Sequence, residues 1–170
     1  MSGRTIPDPG FPGDSGAAAP ALVAALAAYA GGTGSHVDAL AAVRDARLLV
    51  PVVAVLGEVE TDESGLAHDK TSDMATVLLR GADGRMALLA FTGTEALRAW
   101  DADARPVPVT ARTAAQAALQ DDAAAIVVDV AGPATFVVEG EDLQGLAHGW
   151  ALARVGGRTA WVAPEAGTAE

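Results

Sequence analysis

Met74–Glu95 reads MATVLLRGADGRMALLAFTGTE, two apolar runs on either side of a turn signal, followed by the start of a helix. Met74–Arg80 and Arg85–Phe91 have the Val and Leu content of strands. Asp83-Gly84 between them supplies the positive φ that a tight turn needs, so a β-hairpin is predicted. Thr92 and Glu95 then stand at capping-box spacing, which predicts a helix that buries Leu97 and Trp100 before Asp101 and Asp103.

Upstream, Leu48–Leu56 (LLVPVVAVL) is a continuous, largely β-branched run and predicts a strand buried on both faces. Pro51 removes one ladder donor, which requires a bulge or an unpaired side there. Between this strand and the hairpin, residues 57–73 are polar and acidic and predict a long exposed loop. Before it, Ser35 and Asp38 predict a capped helix running to about Arg47. Pro20 opens an apolar helix, Ala21–Ala30, which Gly31-Gly32 ends. Residues 1–19 are rich in Gly, Pro and Ala and are expected to form a disordered leader.

Downstream, Val107 and Val109 mark a short strand, and Thr110 caps an alanine-rich helix, Ala111–Gln120, expected to end before Asp121-Asp122. Ala125–Val130 and Thr135–Val138 alternate around Ala131-Gly132-Pro133 as a second hairpin. Glu141–Arg154 predicts a helix with Leu143, Leu146 and Trp150 on one stripe. Residues 155–170 form a tail with a short strand at 159–162. Strands and helices interleave, but two connections are tight hairpins. The expected fold is therefore a single α/β (α+β) domain over residues 20–154: a mixed, largely antiparallel sheet flanked by four to five helices.

Composition narrows the function classes. The 170 residues carry a net charge of −11, with the basic residues scattered, which disfavours nucleic acid and anionic membrane as partners. There is no cysteine, so disulfides, thiolate metal sites and cysteine nucleophiles are excluded. The apolar stretch Ala17–Ala30 lacks a basic flank and, at about 14 residues, falls short of the roughly 20 that span a bilayer. A cytoplasmic protein is expected.

No catalytic or metal-binding set emerges, and no cofactor is expected. His68-Asp69 lies with Asp62, Glu63 and Asp73 in the acidic loop, without a second nitrogen ligand, so a solvated loop is preferred to a metal site. His36 is expected at the surface, and His148 at a helix end. Gly13-Asp14-Ser15-Gly16 fails the spacing of a nucleophile elbow. Gly31-Gly32-Thr33-Gly34 lacks the lysine of a phosphate loop and reads as a helix cap with a linker. The candidate binding site is Thr92, Gly93, Thr94 and Glu95, where a strand end entering a helix offers N–H groups and two hydroxyls to a small anion or peptide carboxylate. The ordinary alternative is that Thr92 caps the helix and Phe91 fills the core.

Leu49-Val50-Pro51-Val52-Val53, Ala75–Leu79, Asp83-Gly84, Leu88–Gly93 with Leu97 and Trp100, and Ile126–Pro133 together resemble the N-terminal domain of the SseB family, over roughly residues 20–154. The resemblance implies a fold and carries no catalytic residue across. Asp129 stands where that pattern leads one to expect Asn, which weighs against a role for this side chain. Two functions follow as expectations. The first is a non-enzymatic protein-interaction or regulatory module, with the acidic loop available to a basic partner and homo-oligomerisation open through strand edges. The second is a small-ligand (anion or amino-acid) or enzymatic site at the sheet edge near Phe91–Glu95. A deep pocket lined by Thr92, Thr94 and converging charged residues favours the second, and a flat apolar or acidic patch the first.

Overall fold

The computed structural model describes residues 10–55 and 73–164. The predicted acidic loop, apart from Asp73, lies outside the described residues, and with it His68-Asp69. The first helices are α1 (Pro20–Ala30) and α2 (His36–Arg44). Proline at the first turn of α1 gives up an N–H that would have no intrahelical partner. Ser35 and Asp38 form the predicted capping box at α2. Thr33 and Gly34 both donate backbone N–H bonds to Ala28 O at 2.9 Å, so the glycine-rich segment closes α1 as a cap and linker.

Strand β1 (Arg47–Val55) pairs antiparallel with β2 (Asp73–Thr76) on one side and β5 (Arg105–Thr110) on the other. A second sheet has the order β3 (Leu78–Arg80), β4 (Met86–Ala90), β6 (Ala125–Val128), β7 (Phe136–Glu139), with β4 and β6 parallel and the other pairs antiparallel. Leu49 and Phe91 exchange both backbone bonds at 2.8 Å and so join β1 to the end of β4. Hydrogen-bonding direction alternates along a strand, so Pro51 turns its nitrogen to the same side as Leu49. There the neighbour changes from Phe91 to β2, which begins opposite Val52. The missing donor falls in that gap, the unpaired side expected at Pro51.

The long first arm of the predicted hairpin is split. Leu78–Arg80 pairs with β4, but Asp73–Thr76 crosses to β1 instead. Val77 is the change-over: its carbonyl still accepts from Leu89 N at 3.3 Å, and its side chain packs into the cluster of Leu49, Leu89, Phe91 and Leu97. Phe91 at the end of β4 is already bonded to Leu49, so the arm has no partner there beyond Val77.

Alternation along the strands makes two cores. Leu48, Val50, Leu88 and Ala90 point to one face, with Leu22, Leu26, Leu40, Leu143 and Leu146 of the helices. Leu49, Leu89 and Phe91 point to the other, covered by Leu97 of α3 (Thr94–Trp100). Helix α4 (Ala111–Gln120) is capped by Thr110 and stops before Asp121-Asp122, both exposed. The predicted last helix is shorter than its sequence pattern. Helix α5 (Gly140–His148) ends at Gly149, whose φ of +68° is left-handed, and the Trp150 N–H returns to Gly145 O at 3.0 Å. Trp150 is therefore outside the helix. The chain continues as a hairpin, β8 (Ala151–Val155) and β9 (Arg158–Val162), turned at Gly156-Gly157: β9 is the short strand expected at 159–162, and β8 replaces the end of the predicted helix. The result is a mixed α/β fold with mostly antiparallel sheets. Among the described residues no helix is long and apolar enough to cross a membrane.

Candidate functional site

Strand β4 is interior, between β3 and β6, so Phe91–Glu95 leaves the end of a central strand and not a sheet edge. Phe91 is fully buried and fills the core, as the plainer alternative had it. Thr92 does not cap α3: the N-cap is Gly93, and no side chain bonds there. Thr92 instead turns inward. Its N–H donates to Asp129 Oδ1 at 2.9 Å and its hydroxyl to Asp129 Oδ2 at 2.8 Å. Thr92 is 4% exposed and Asp129 6%, the only buried polar or charged side chains among the described residues. Burial pushes the Asp129 carboxyl above the ordinary aspartate range, and the two bonds from Thr92 pull against that shift.

Asp129, against the expectation drawn from the family resemblance, has a structural role. It follows β6 in a left-handed conformation, φ +53°, and links three elements. Its N–H reaches Ala90 O at 3.0 Å, while its carbonyl accepts from Thr135 Oγ1 and Gly132 N, both at 2.9 Å. The carboxylate thus fixes where β4 turns into α3.

With Thr92 turned inward, its carbonyl faces Arg47, whose Nη1 donates to it at 3.1 Å. Arg47 is not the end of α2, as its sequence position suggests, but the first residue of β1, with its side chain mostly covered. Arg47 Nε also meets Asp14 Oδ2 at 2.8 Å, and its Nη2 bonds Asp14 Oδ1 at 3.2 Å and the carbonyl of Ala17. Thr94 completes the contact, its N–H and hydroxyl both donating to Gly16 O at 2.8 and 3.1 Å. Residues 14–18, placed by composition in a disordered leader, therefore lie as a strap against Thr92-Gly93-Thr94. The available sequence signal was small: one aspartate followed two residues later by glycine, in a segment otherwise poor in polar groups.

A cavity of about 1390 Å³ opens beside the strap, lined by Thr92–Ala96, one face of α1, Pro106 and Pro108 of β5, and the Gly132–Ala134 turn. Glu95, exposed, and Arg98 stand at its wall. All four candidate residues, Thr92, Gly93, Thr94 and Glu95, line it, although Thr92 offers only what Asp129 leaves. A second cavity, about 730 Å³, lies between α5 and the β8–β9 hairpin. There Asp142 accepts from the Trp161 indole at 2.9 Å and meets His36 Nε2 at 2.9 Å. His148 bonds Gln144 O within its own helix, as expected of a helix end. Among the described residues no group of three or more His, Asp or Glu is placed to hold a metal ion.

A family model described as the SseB protein N-terminal domain matches residues 22–145. The chain belongs to the SseB family. No curated protein and no solved structure matches it. The SseB match contains Arg47, Thr92–Thr94 and Asp129 and begins after the strap, so the receiving surface lies within the family domain and residues 14–18 lie outside it.

Proposed function

We propose that this SseB-family chain is a non-enzymatic protein-interaction module of the cytoplasm, and that its binding site is the cavity and strap-bearing surface at the end of β4. The observation that carries this reading is what the surface binds already. Arg47 and Thr94 address main-chain carbonyls, Ala17 O and Gly16 O, as a peptide-recognition surface does. The size of the cavity points the same way, since 1390 Å³ exceeds the roughly 300–1,000 Å³ of ordinary small-ligand sites. The net charge of −11 argues for a protein partner over nucleic acid or membrane.

A small-ligand reading, an anion or amino acid beside Thr94, Glu95 and Arg98, is favoured by a cavity with charged residues at its wall in place of a flat patch. The two are separated by affinity capture from native lysate, with Gly16→Val as bait to loosen the strap and Gly16→Val/Gly93→Val as control. Proteins and small molecules are both identified by mass spectrometry. The interaction reading expects proteins that disappear with the control. A stoichiometric small molecule without any Gly93-dependent protein would overturn it.

A further inference from the structure

The strap is recognised in three independent ways. Its carboxylate is read by charge, Asp14 against Arg47 at 2.8 Å. Its conformation is read at Gly16, where φ is +77° and a Cβ would collide with the Thr94 hydroxyl. Its main chain is read by the bonds that Thr94 and Arg47 give to two successive carbonyls.

The receiving surface is also shaped for it. Gly93 has φ −163°, an extended conformation open to any residue. Yet a Cβ there would lie 2.6 Å from Ala18 N and 3.0 Å from Gly16 O, and the three nearest atoms all belong to the strap. The missing side chain at Gly93 therefore serves the strap's backbone and not the domain's own packing. The strap puts no apolar side chain into the core: Ser15 and Ala17 are exposed, and the first buried side chain after them is Leu22.

We infer that the notch of Arg47, Gly93 and Thr94 is a receptor for a partner segment of the form Asp-x-Gly-small-small, and that Asp14–Ala18 fills it as a tethered internal ligand. This rests on the reading of the site as a protein-interaction surface and names the chemistry of the partner. Because Ala18 is followed almost at once by α1, anchored by Leu22 and Leu26, the internal segment is present at high effective concentration. A partner segment binds well only when the strap is loosened or the partner is itself multivalent.

The test uses the full chain and a fluorescein-labelled peptide of residues 10–20, GFPGDSGAAAP, read by anisotropy. Asp14→Ala/Gly16→Val in the protein weakens the strap and leaves the notch intact. This variant is expected to bind the peptide at least about tenfold more tightly than the unaltered chain. Binding is expected to fall about tenfold or more when the peptide's aspartate is replaced by alanine, the cost of one charge-assisted contact. Adding Gly93→Val to the loosened protein is expected to abolish it, with an unchanged circular dichroism spectrum and Tm. No binding by the loosened protein, binding indifferent to the peptide's Asp and Gly, or binding that survives Gly93→Val would each overturn the inference. A loosened protein that dimerises in light scattering instead of taking up peptide would overturn it too, by assigning the notch to a second copy. If the peptide fails while lysate proteins are still captured through Gly93, the segment chemistry is wrong and the interaction reading stands.

Discussion

Replacing Asp129 with Asn is expected to leave the protein as stable or more stable, whereas Ala is expected to be damaging. The carboxylate accepts two buried bonds from Thr92, at 2.9 Å from the N–H and 2.8 Å from the hydroxyl. Asn keeps the first through its amide oxygen, and its NH₂ can donate to the Thr92 hydroxyl, which turns to accept. Asn is also at home at φ +53°. Ala leaves two buried donors without partners, at about 1–3 kcal/mol each, so a loss of about 2–6 kcal/mol is expected, towards the lower end where water enters the space. For a chain of this size that is a fall in Tm of roughly 2–4 °C per kcal/mol. Asp129→Gly serves as the control, because it relieves the left-handed backbone and still orphans both donors; it should be less damaging than Ala by about 1 kcal/mol and still clearly less stable than Asn.

The pH dependence has a definite sign. Burial raises the folded carboxyl above its unfolded value, so the stabilisation it confers is fully present below about pH 3.8, the ordinary aspartate value, and is lost as pH rises through the folded value. Urea unfolding of wild type and Asp129→Asn, from pH 4 to 8, should show wild type losing ground to the variant as pH increases. The reasoning fails if Asn costs as much as Ala, or if wild type gains on Asn with rising pH.

Two further outcomes follow from close approaches of glycine. Gly93→Ala should release the strap and leave the fold: the Thr94 amide, bonded to Gly16 O at 2.8 Å, should exchange hydrogen much faster, while amides of β4 and β6 keep their protection. Unchanged protection at Thr94 would show that the strap can stay. Gly145→Ala should unseat the β8–β9 hairpin, since the new Cβ would run into the Trp161 indole, at 2.6 Å from Cε3. The Trp161 indole N–H, bonded to Asp142, should move upfield in the proton spectrum, and an unmoved signal would show that the hairpin does not depend on this contact.

The parts of the fold that local rules control were legible in advance. The Ser35–Asp38 capping box, the Thr110 cap and the second hairpin all follow from residues within a few positions of one another. What escaped was decided at long range. Nothing in Met74–Arg80 says that the strand must change partners at Val77, because the cause is Leu49 bonded to Phe91, 42 positions further on. The last helix was read too long because Trp150 keeps the apolar period, while the left-handed Gly149 that breaks it carries no weight in a periodicity.

The candidate site shows the same division more sharply. Thr92 and Glu95 stand at capping-box spacing, yet the bonds of a capping box do not form at α3. Thr92 had two uses for its hydroxyl: a local one at the helix start, and a distant one at Asp129, which needs a partner where a buried acid would otherwise be alone. The buried pair takes both Thr92 donors at once, and the helix start can do without a side-chain cap because Thr94 N–H is satisfied by Gly16 O. The strap thus stands in for the cap that Thr92 gave up. That substitution ties the inward turn of Thr92 to the strap's backbone outside it, since the same Gly16 carbonyl takes both the N–H and the hydroxyl of Thr94.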